Sequence, residues 1–258
     1  MLRFCSLGSG STGNATLIEA STGGRTTRLL VDCGFGLRQL QARLGRLGLL
    51  PADIDGIFIT HEHGDHIGCV HAFSQRHGTQ VRMSEGTWLA TGAQDFGNRL
   101  QFARDGQPIE LGALQVDPFT VPHDAREPLQ LTCTDGARRI GVLTDLGHAT
   151  PHVLARIGGV DALLLESNHD AELLAASAYP AFLKLRVGGN YGHLSNHAAG
   201  AIAAAVHHPG LRHVVAAHLS EQNNRPELAR TALAEGLGCM VDDILTANAA
   251  DGFPWLDA

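Results

Sequence analysis

Five of the six residues from His61 to His66 carry acid–base or metal-binding side chains: His61, Glu62, His63, Asp65 and His66. They follow the apolar run Ile54 to Thr60, so a buried strand delivers them to one end of a sheet. Side chains two apart in an extended segment share a face, which turns His61, His63 and Asp65 the same way. At Asp65–His66 the chain is expected to enter a helix, re-aiming His66 to that side. Glu62 takes the odd position and points away, toward a surface or hydrogen-bonding role. Neutral imidazole and carboxylate oxygen suit Zn²⁺, Mn²⁺ or iron far better than Ca²⁺. Four donors within six residues exceed what one tetrahedral ion takes from a single segment. Two ions about 3.5–4 Å apart would use them all.

Further donors stand where other apolar strands end: His123 after the run closing at Val121, Asp145 after GVLT, His218 after VVAA. The pattern of apolar strand followed by donor thus recurs four times. The strands themselves are read from Leu2 to Leu7, Asn14 to Ala20, Arg28 to Asp32, Thr79 to Ser84, and as a pair within Ile109 to Val121. Leu129 to Thr134 and Arg139 to Thr144 form a hairpin turning at Asp135-Gly136. Val160 to Glu166 and His213 to Ala217 are further buried strands. Helices are expected over Phe35 to Leu47, where Leu37, Leu40, Leu44 and Leu47 share one face, over Ile67 to Arg76, and over His197 to His207. Lys184 and Arg186 alternate with Leu183, Leu185 and Val187, which reads as a solvated strand face.

With 44% hydrophobic residues in 258, the chain can bury a large core, and a single domain over 1–258 is the simplest organisation. The net charge of −7, with Lys184 the only lysine, argues against a broad phosphate-gripping surface. Bound divalent ions would invert that field locally. Five scattered cysteines without a CxxC pair point to reduced thiols rather than a disulfide frame or thiolate zinc site. Cys33, lacking such a partner, is no thiol catalyst. No signal segment or long apolar span is present, so a cytoplasmic protein with no membrane attachment and no obligate protein partner is expected. The GSGSTG loop at Gly8–Gly13 lacks a GK[ST] ending and leads into a strand, which excludes a nucleotide-triphosphatase P-loop. It reads instead as a turn beside the site.

Thr60 to His66 (THEHGDH) resembles the HxHxDH signature of the metallo-β-lactamase superfamily. Asp32, His123, Asp145 and His218 are similar to its first, third, fourth and fifth motifs, in the family's order. SLGSGSTGN, LTDLGH, ESNHD, YPAFLKLRVGGNYGHLSN and HLSEQNN are similar to the YycJ (WalJ) group, described as 5′→3′ exonuclease-like. The resemblance implies an α+β fold, the four-layer αββα sandwich of two mixed sheets with outer helices. It implies one ion on His61, His63 and His123, a second on Asp65, His66 and His218, and Asp145 bridging the pair. Where the superfamily's di-iron redox members carry a carboxylate, this chain has His63, which counts against redox chemistry.

The expected activity is therefore hydrolysis of a phosphodiester by two divalent ions, Zn or Mn, acting on a DNA or RNA end. The alternatives are a small phosphodiester, or a thioester or lactone on the same fold. Asp65 is the candidate to orient and deprotonate the attacking water, with His193 and His169 as candidate general acids. Lys184, Arg186, Ser195, Asn196 and Asn168 are candidate substrate contacts. Asn196 or Ser195 could cap the helix that follows His193, where backbone nitrogens suit a phosphate.

Overall fold

A computed structural model describes residues 1–258. The first half of the chain runs β1 (Leu2–Gly8), β2 (Ala15–Thr22), β3 (Arg25–Val31), α1 (Leu37–Arg46), β4 (Gly56–Phe58), α2 (Gly64–Ile67), α3 (Val70–His77), β5 (Gln80–Met83), α4 (Glu85–Ala90) and β6 (Leu100–Phe102). The second half runs β7 (Ile109–Leu111), β8 (Leu114–Thr120), β9 (Leu129–Thr134), β10 (Arg139–Leu143), α5 (Pro151–Ile157), β11 (Ala162–Glu166), α6 (Ala171–Ala176) and α7 (Ala181–Val187). It continues through α8 (Asn196–Val206), β12 (His213–Ala217), α9 (Pro226–Leu237) and β13 (Leu245–Thr246), and closes on β14 (Phe253–Asp257).

Two seven-stranded sheets result, ordered β14-β1-β2-β3-β4-β5-β6 and β13-β12-β11-β10-β9-β8-β7. In each, strands joined by tight turns pair antiparallel, and strands separated by a helix pair parallel. The parallel strands β3, β10, β11 and β12 all point their carboxyl ends at one edge, where the donors collect.

Both faces of each sheet are covered, so the strands read as near-continuous apolar runs. Alternation along β2 shows the division. Ile18 packs between the sheets with Phe4, Leu29, Phe58 and, from the other sheet, Leu131 and Val142. Its neighbour Leu17 faces outward into the cluster holding Leu40, Leu44, Val70 and Phe73 of α1 and α3. The second sheet's outer face is sealed by Val153 and Ile157 of α5, Ile202 of α8 and Leu233 of α9. The layers are thus αββα, as the resemblance implies.

Packing of α8 on α9 is close because a Cβ at Gly236 would lie 2.2 Å from the Gly200 carbonyl oxygen. That contact sets α8 against α9, with the first turn of α8 at the site. Lys184 and Arg186 stand not on a strand face but on α7. Pro180 enters this helix with φ −56°, and its carbonyl accepts the amides of Leu183 and Lys184 at 2.9 and 3.1 Å. Helix α2 likewise begins at Gly64, so Asp65 reaches inward from a helical turn and not from an extended face. All five cysteines are free, and no helix is long and apolar enough to cross a membrane.

Candidate metal centre

Three non-glycine residues leave the strands in the left-handed region: Asp32 after β3 (φ 64°), Asp145 after β10 (φ 53°) and His218 after β12 (φ 53°). Such a conformation costs about 1–3 kcal/mol per residue and persists only where its surroundings demand it. Here each kink turns a side chain from the strand direction into one shared, buried site.

His61 Nε2 lies 3.0 Å from His63 Nδ1, which lies 3.3 Å from His123 Nε2, so three imidazole nitrogens face one point. Asp65 Oδ2, His66 Nε2 and His218 Nε2 converge beside them, the carboxylate 3.5 and 3.4 Å from the two nitrogens. Asp145 stands between the triads. Its Oδ2 is 3.1 Å from His66 Nε2, and its Oδ1 is 4.0 Å from His123 Nε2. Oδ2 is buried yet has no hydrogen-bond partner. A buried carboxylate oxygen left unsatisfied amid nitrogen donors fits a divalent cation. The donor set, imidazole and carboxylate without thiolate, fits such an ion by its chemistry also.

A surrounding shell fixes the direction of each ring. His66 Nδ1 is 2.8 Å from Asp32 Oδ2, and Asp32 also accepts the amide and hydroxyl of Thr60. His123 Nδ1 donates to the Gly192 carbonyl at 3.0 Å. Glu166, fully buried at the end of β11, receives His193 Nδ1 at 2.8 Å and His218 Nδ1 at 3.0 Å on one oxygen. Its other oxygen takes the amides of Leu146 and Leu194. These contacts leave the opposite ring nitrogens of His66, His123 and His218 free to ligate, the arrangement by which carboxylates orient metal-bound histidines.

The glycine-rich turn acts on the site from the protein side. Asn14 Oδ1 accepts from Gly10 N and Ser9 Oγ, while its Nδ2 donates to the Asp65 carbonyl at 3.2 Å. Ser9 Oγ accepts the amide of His218. One short loop therefore ties the helix bearing Asp65 to the strand bearing His218.

His193 sits against the rings of His123 and His218, each at a centroid distance of 5.3 Å. His169 lies on the far side of the β-bridge to Ser195, with Nδ1 buried and unpartnered. The other candidates occupy different settings. Asn168 donates to the His218 carbonyl at 2.9 Å, Ser195 caps α8 through Ala198 N, and Asn196 bonds Asn224. Arg186 bonds Asp124, whose Oδ1 is 3.4 Å from His123 Nε2. Glu62 accepts the amide of Arg126, away from the nitrogens.

Glu166 and Asn14 were not singled out as individual site residues from sequence. Glu166 carried a usable signal, because VDALLLE is another apolar strand ending on a donor. Asn14 carried none beyond its place after the glycine-rich turn.

Electrostatics in the metal-free chain follow from this crowding. Burial opposes charge on His66 and His218, but the carboxylates of Asp145, Asp32, Asp65 and Glu166 overcome it. His66 is held well above the ordinary imidazole range, and His218 is pushed up to about 10. Burial alone would raise Asp145, yet His218 and His66 hold it well below the ordinary carboxylate range. Glu166 is likewise kept at about 2 by His193 and His218 despite its burial. A protonated Nε2 cannot ligate, so metal uptake at neutral pH must expel the protons of His66 and His218. Apparent affinity for Zn²⁺ should therefore rise with pH, by about a hundredfold per unit if both protons leave. Calorimetry at pH 6.5 to 8 in buffers of different ionisation enthalpy measures the released protons; uptake with no proton release would sink the idea.

Comparison with known proteins adds an independent line. The family described as "Beta-lactamase superfamily domain" matches residues 27–219. "Exodeoxyribonuclease YycJ" of Bacillus anthracis is 33% identical over 240 residues, spanning 92% of this chain and 89% of that protein. "Exodeoxyribonuclease WalJ" of Streptococcus pneumoniae is 29% identical over 240 residues, 91% of this chain and 88% of that protein. Among solved structures, the metallo-β-lactamase fold protein YhfI from Bacillus subtilis superposes over 100% of both chains with a TM-score of 0.75 at 16% identity.

Proposed function

This chain belongs to the metallo-β-lactamase superfamily, in its YycJ (WalJ) branch of metal-dependent hydrolases, and from that premise we propose that it removes nucleotides from the 5′ end of DNA or RNA with two divalent ions. His61, His63 and His123 hold one ion in this reading, Asp65, His66 and His218 the other, and Asp145 serves both. Zn or Mn suits the donors. Bound there, the ions supply a water acidic enough to attack at neutral pH and positive charge beside the phosphate.

The protein's own residues perform the remaining tasks. Asp65 is the only carboxylate of the two triads and is more accessible than Asp145, 24% against 2% exposed, and His218 and His66 keep it ionised against the effect of burial. It orients the attacking water and takes its proton. His193, held by Glu166, gives a proton to the departing oxygen. Arg186, bonded to Asp124 beside His123, borders the site for the nucleic-acid backbone, with Lys184 on the same helix donating to the Ala175 carbonyl, and the setting we propose is the cytoplasm. Asn168, Ser195 and Asn196 act in this reading by framing His218, α8 and the His193 loop, and His169 is a second proton carrier behind His193.

The observation that carries the reading is the placing of a carboxylate-held imidazole beside two donor triads, since phosphodiester hydrolysis needs both an activated water and a proton for a poor leaving group. Protein purified without added metal is expected to carry Zn or Mn and to shorten 5′-labelled single-stranded oligonucleotides. Asp65→Asn should lower that rate at least about a thousandfold. Metal-loaded protein that leaves every oligonucleotide intact overturns the proposal.

A further inference from the structure

Cys33 and Cys69 carry no pairing signal in the sequence, yet the fold brings them together behind the metal centre. Cys33 follows Asp32 after β3 and is fully buried, while Cys69 is the residue before α3 and is half-buried. The amide of Cys69 donates to the Cys33 carbonyl at 3.0 Å. Standard bond lengths then hold the two Cα atoms within about 7 Å, so a disulfide can close with little movement of the backbone. A Cβ at Gly68, where φ is 31°, would lie 2.3 Å from that carbonyl oxygen, so glycine permits the approach. The side chains meet too. A hydrogen bond with Cys33 holds the Cys69 thiol below the ordinary thiol range, whereas burial pushes Cys33 well above it. One sulfur is therefore reachable and disposed to ionise, and the other is sheltered beside it.

The same stretch of backbone seats Asp65 and His66. The Cys33 amide donates to the His66 carbonyl at 2.7 Å, and Asp32 Oδ2 is 2.8 Å from His66 Nδ1. A Cβ at Gly34 would lie 1.7 Å from the Asp65 carbonyl oxygen, so the chain leaving β3 lies directly against the segment that bears both donors. Any movement of Cys33 toward Cys69 reaches His66 through these two hydrogen bonds.

We propose that Cys69 is a peroxide-sensitive thiol which Cys33 resolves into a disulfide, and that closing this bond loosens the ion held by Asp65, His66 and His218. The second half rests on the two-ion reading above; the first half does not. The Cys69 thiolate attacks one oxygen of hydrogen peroxide, the O–O bond breaks, and the leaving hydroxide takes a proton to become water. The Cys33 sulfur then attacks the resulting sulfenic sulfur, the S–O bond breaks, and hydroxide leaves with the Cys33 proton as a second water. Two thiols have given up two electrons, and the peroxide is reduced. A dithiol reverses the change by exchange. To bond, the sulfurs must draw in to about 2.05 Å, which displaces Cys33 and with it the groups that orient His66. Disturbing such an outer partner weakens metal binding by about ten- to a hundredfold.

The test treats zinc-loaded holoprotein with one to two equivalents of hydrogen peroxide, alkylates the remaining thiols and maps the peptides by mass. A Cys33–Cys69 disulfide is expected, and one of the two zinc ions should pass to a chromogenic chelator about ten- to a hundredfold more readily, with dithiothreitol reversing both. In Cys33→Ala, dimedone should trap a sulfenic acid at Cys69 that wild type does not accumulate. In Cys69→Ser, peroxide should leave zinc release unchanged. Both thiols still open to alkylation after treatment, or Cys69 oxidised while Cys33 stays free, overturns the proposal. A disulfide that forms with zinc release unaltered overturns the link to the ion. A chain that holds only one ion before treatment refutes the two-ion reading instead, and the peptide map still decides the thiol pair.

Discussion

Asp145→Ala should abolish two-metal loading and lower phosphodiesterase activity at least about 10³- to 10⁴-fold, the largest loss expected from any single substitution. Every other donor belongs to one triad, whereas Asp145 lies between both, 3.1 Å from His66 Nε2 and 4.0 Å from His123 Nε2. Its carboxylate is also the main negative charge acting on His66 and His218. Removing it takes the largest counter-charge from buried imidazoles, at a cost of about 3–5 kcal/mol for a broken buried pair. Asp145→Asn keeps the shape and loses the charge, so it separates the two effects. It should retain the fold and still fail to hold two ions. Elemental analysis after dialysis, together with rates on an oligonucleotide, measures both. A variant carrying two ions per chain, with activity within tenfold of wild type, would remove Asp145 from the centre.

The donor set could be read from sequence because each member ends an apolar strand, and strand direction is a local property. His61 to His66 are legible by spacing alone, and Asp145 and His218 by the runs GVLT and VVAA before them. Glu166 ends an equally apolar strand, but its meaning lies in His193 and His218, 27 and 52 residues onward. No local pattern shows which distant imidazoles a buried carboxylate will orient. Asn14 fails for the same reason, since its amide acts on a carbonyl 51 residues away. The misreading of α7 is of another kind. Over seven residues, the alternation of Leu183, Lys184, Leu185, Arg186 and Val187 fits a period of two as well as one exposed helical turn. Only the Pro180 entry and the absence of any buried face decide for helix.

His193→Ala should divide two steps that Asp145→Ala cannot separate. Its Nδ1 is fixed on Glu166 at 2.8 Å, and although burial disfavours the charged ring, that carboxylate and Asp145 raise its pKa above the ordinary value. The carboxylates thus favour the imidazolium form, whose second nitrogen can donate. An alkoxide leaving a DNA strand is a strong base and needs that proton; p-nitrophenolate does not. The alanine variant should lose about 10²- to 10⁴-fold in kcat on DNA but less than tenfold on bis(p-nitrophenyl) phosphate, with its metal content intact. The sign with pH follows from the same group. The wild-type rate on DNA should fall as pH rises through the pKa of His193, because the proton donor is lost. The variant should lack that limb. Glu166→Gln should move the limb to lower pH, since the charge that sustains the imidazolium is gone. Equal losses on both substrates, or an alkaline limb that persists without His193, would assign the proton to another group, with His169 next in line.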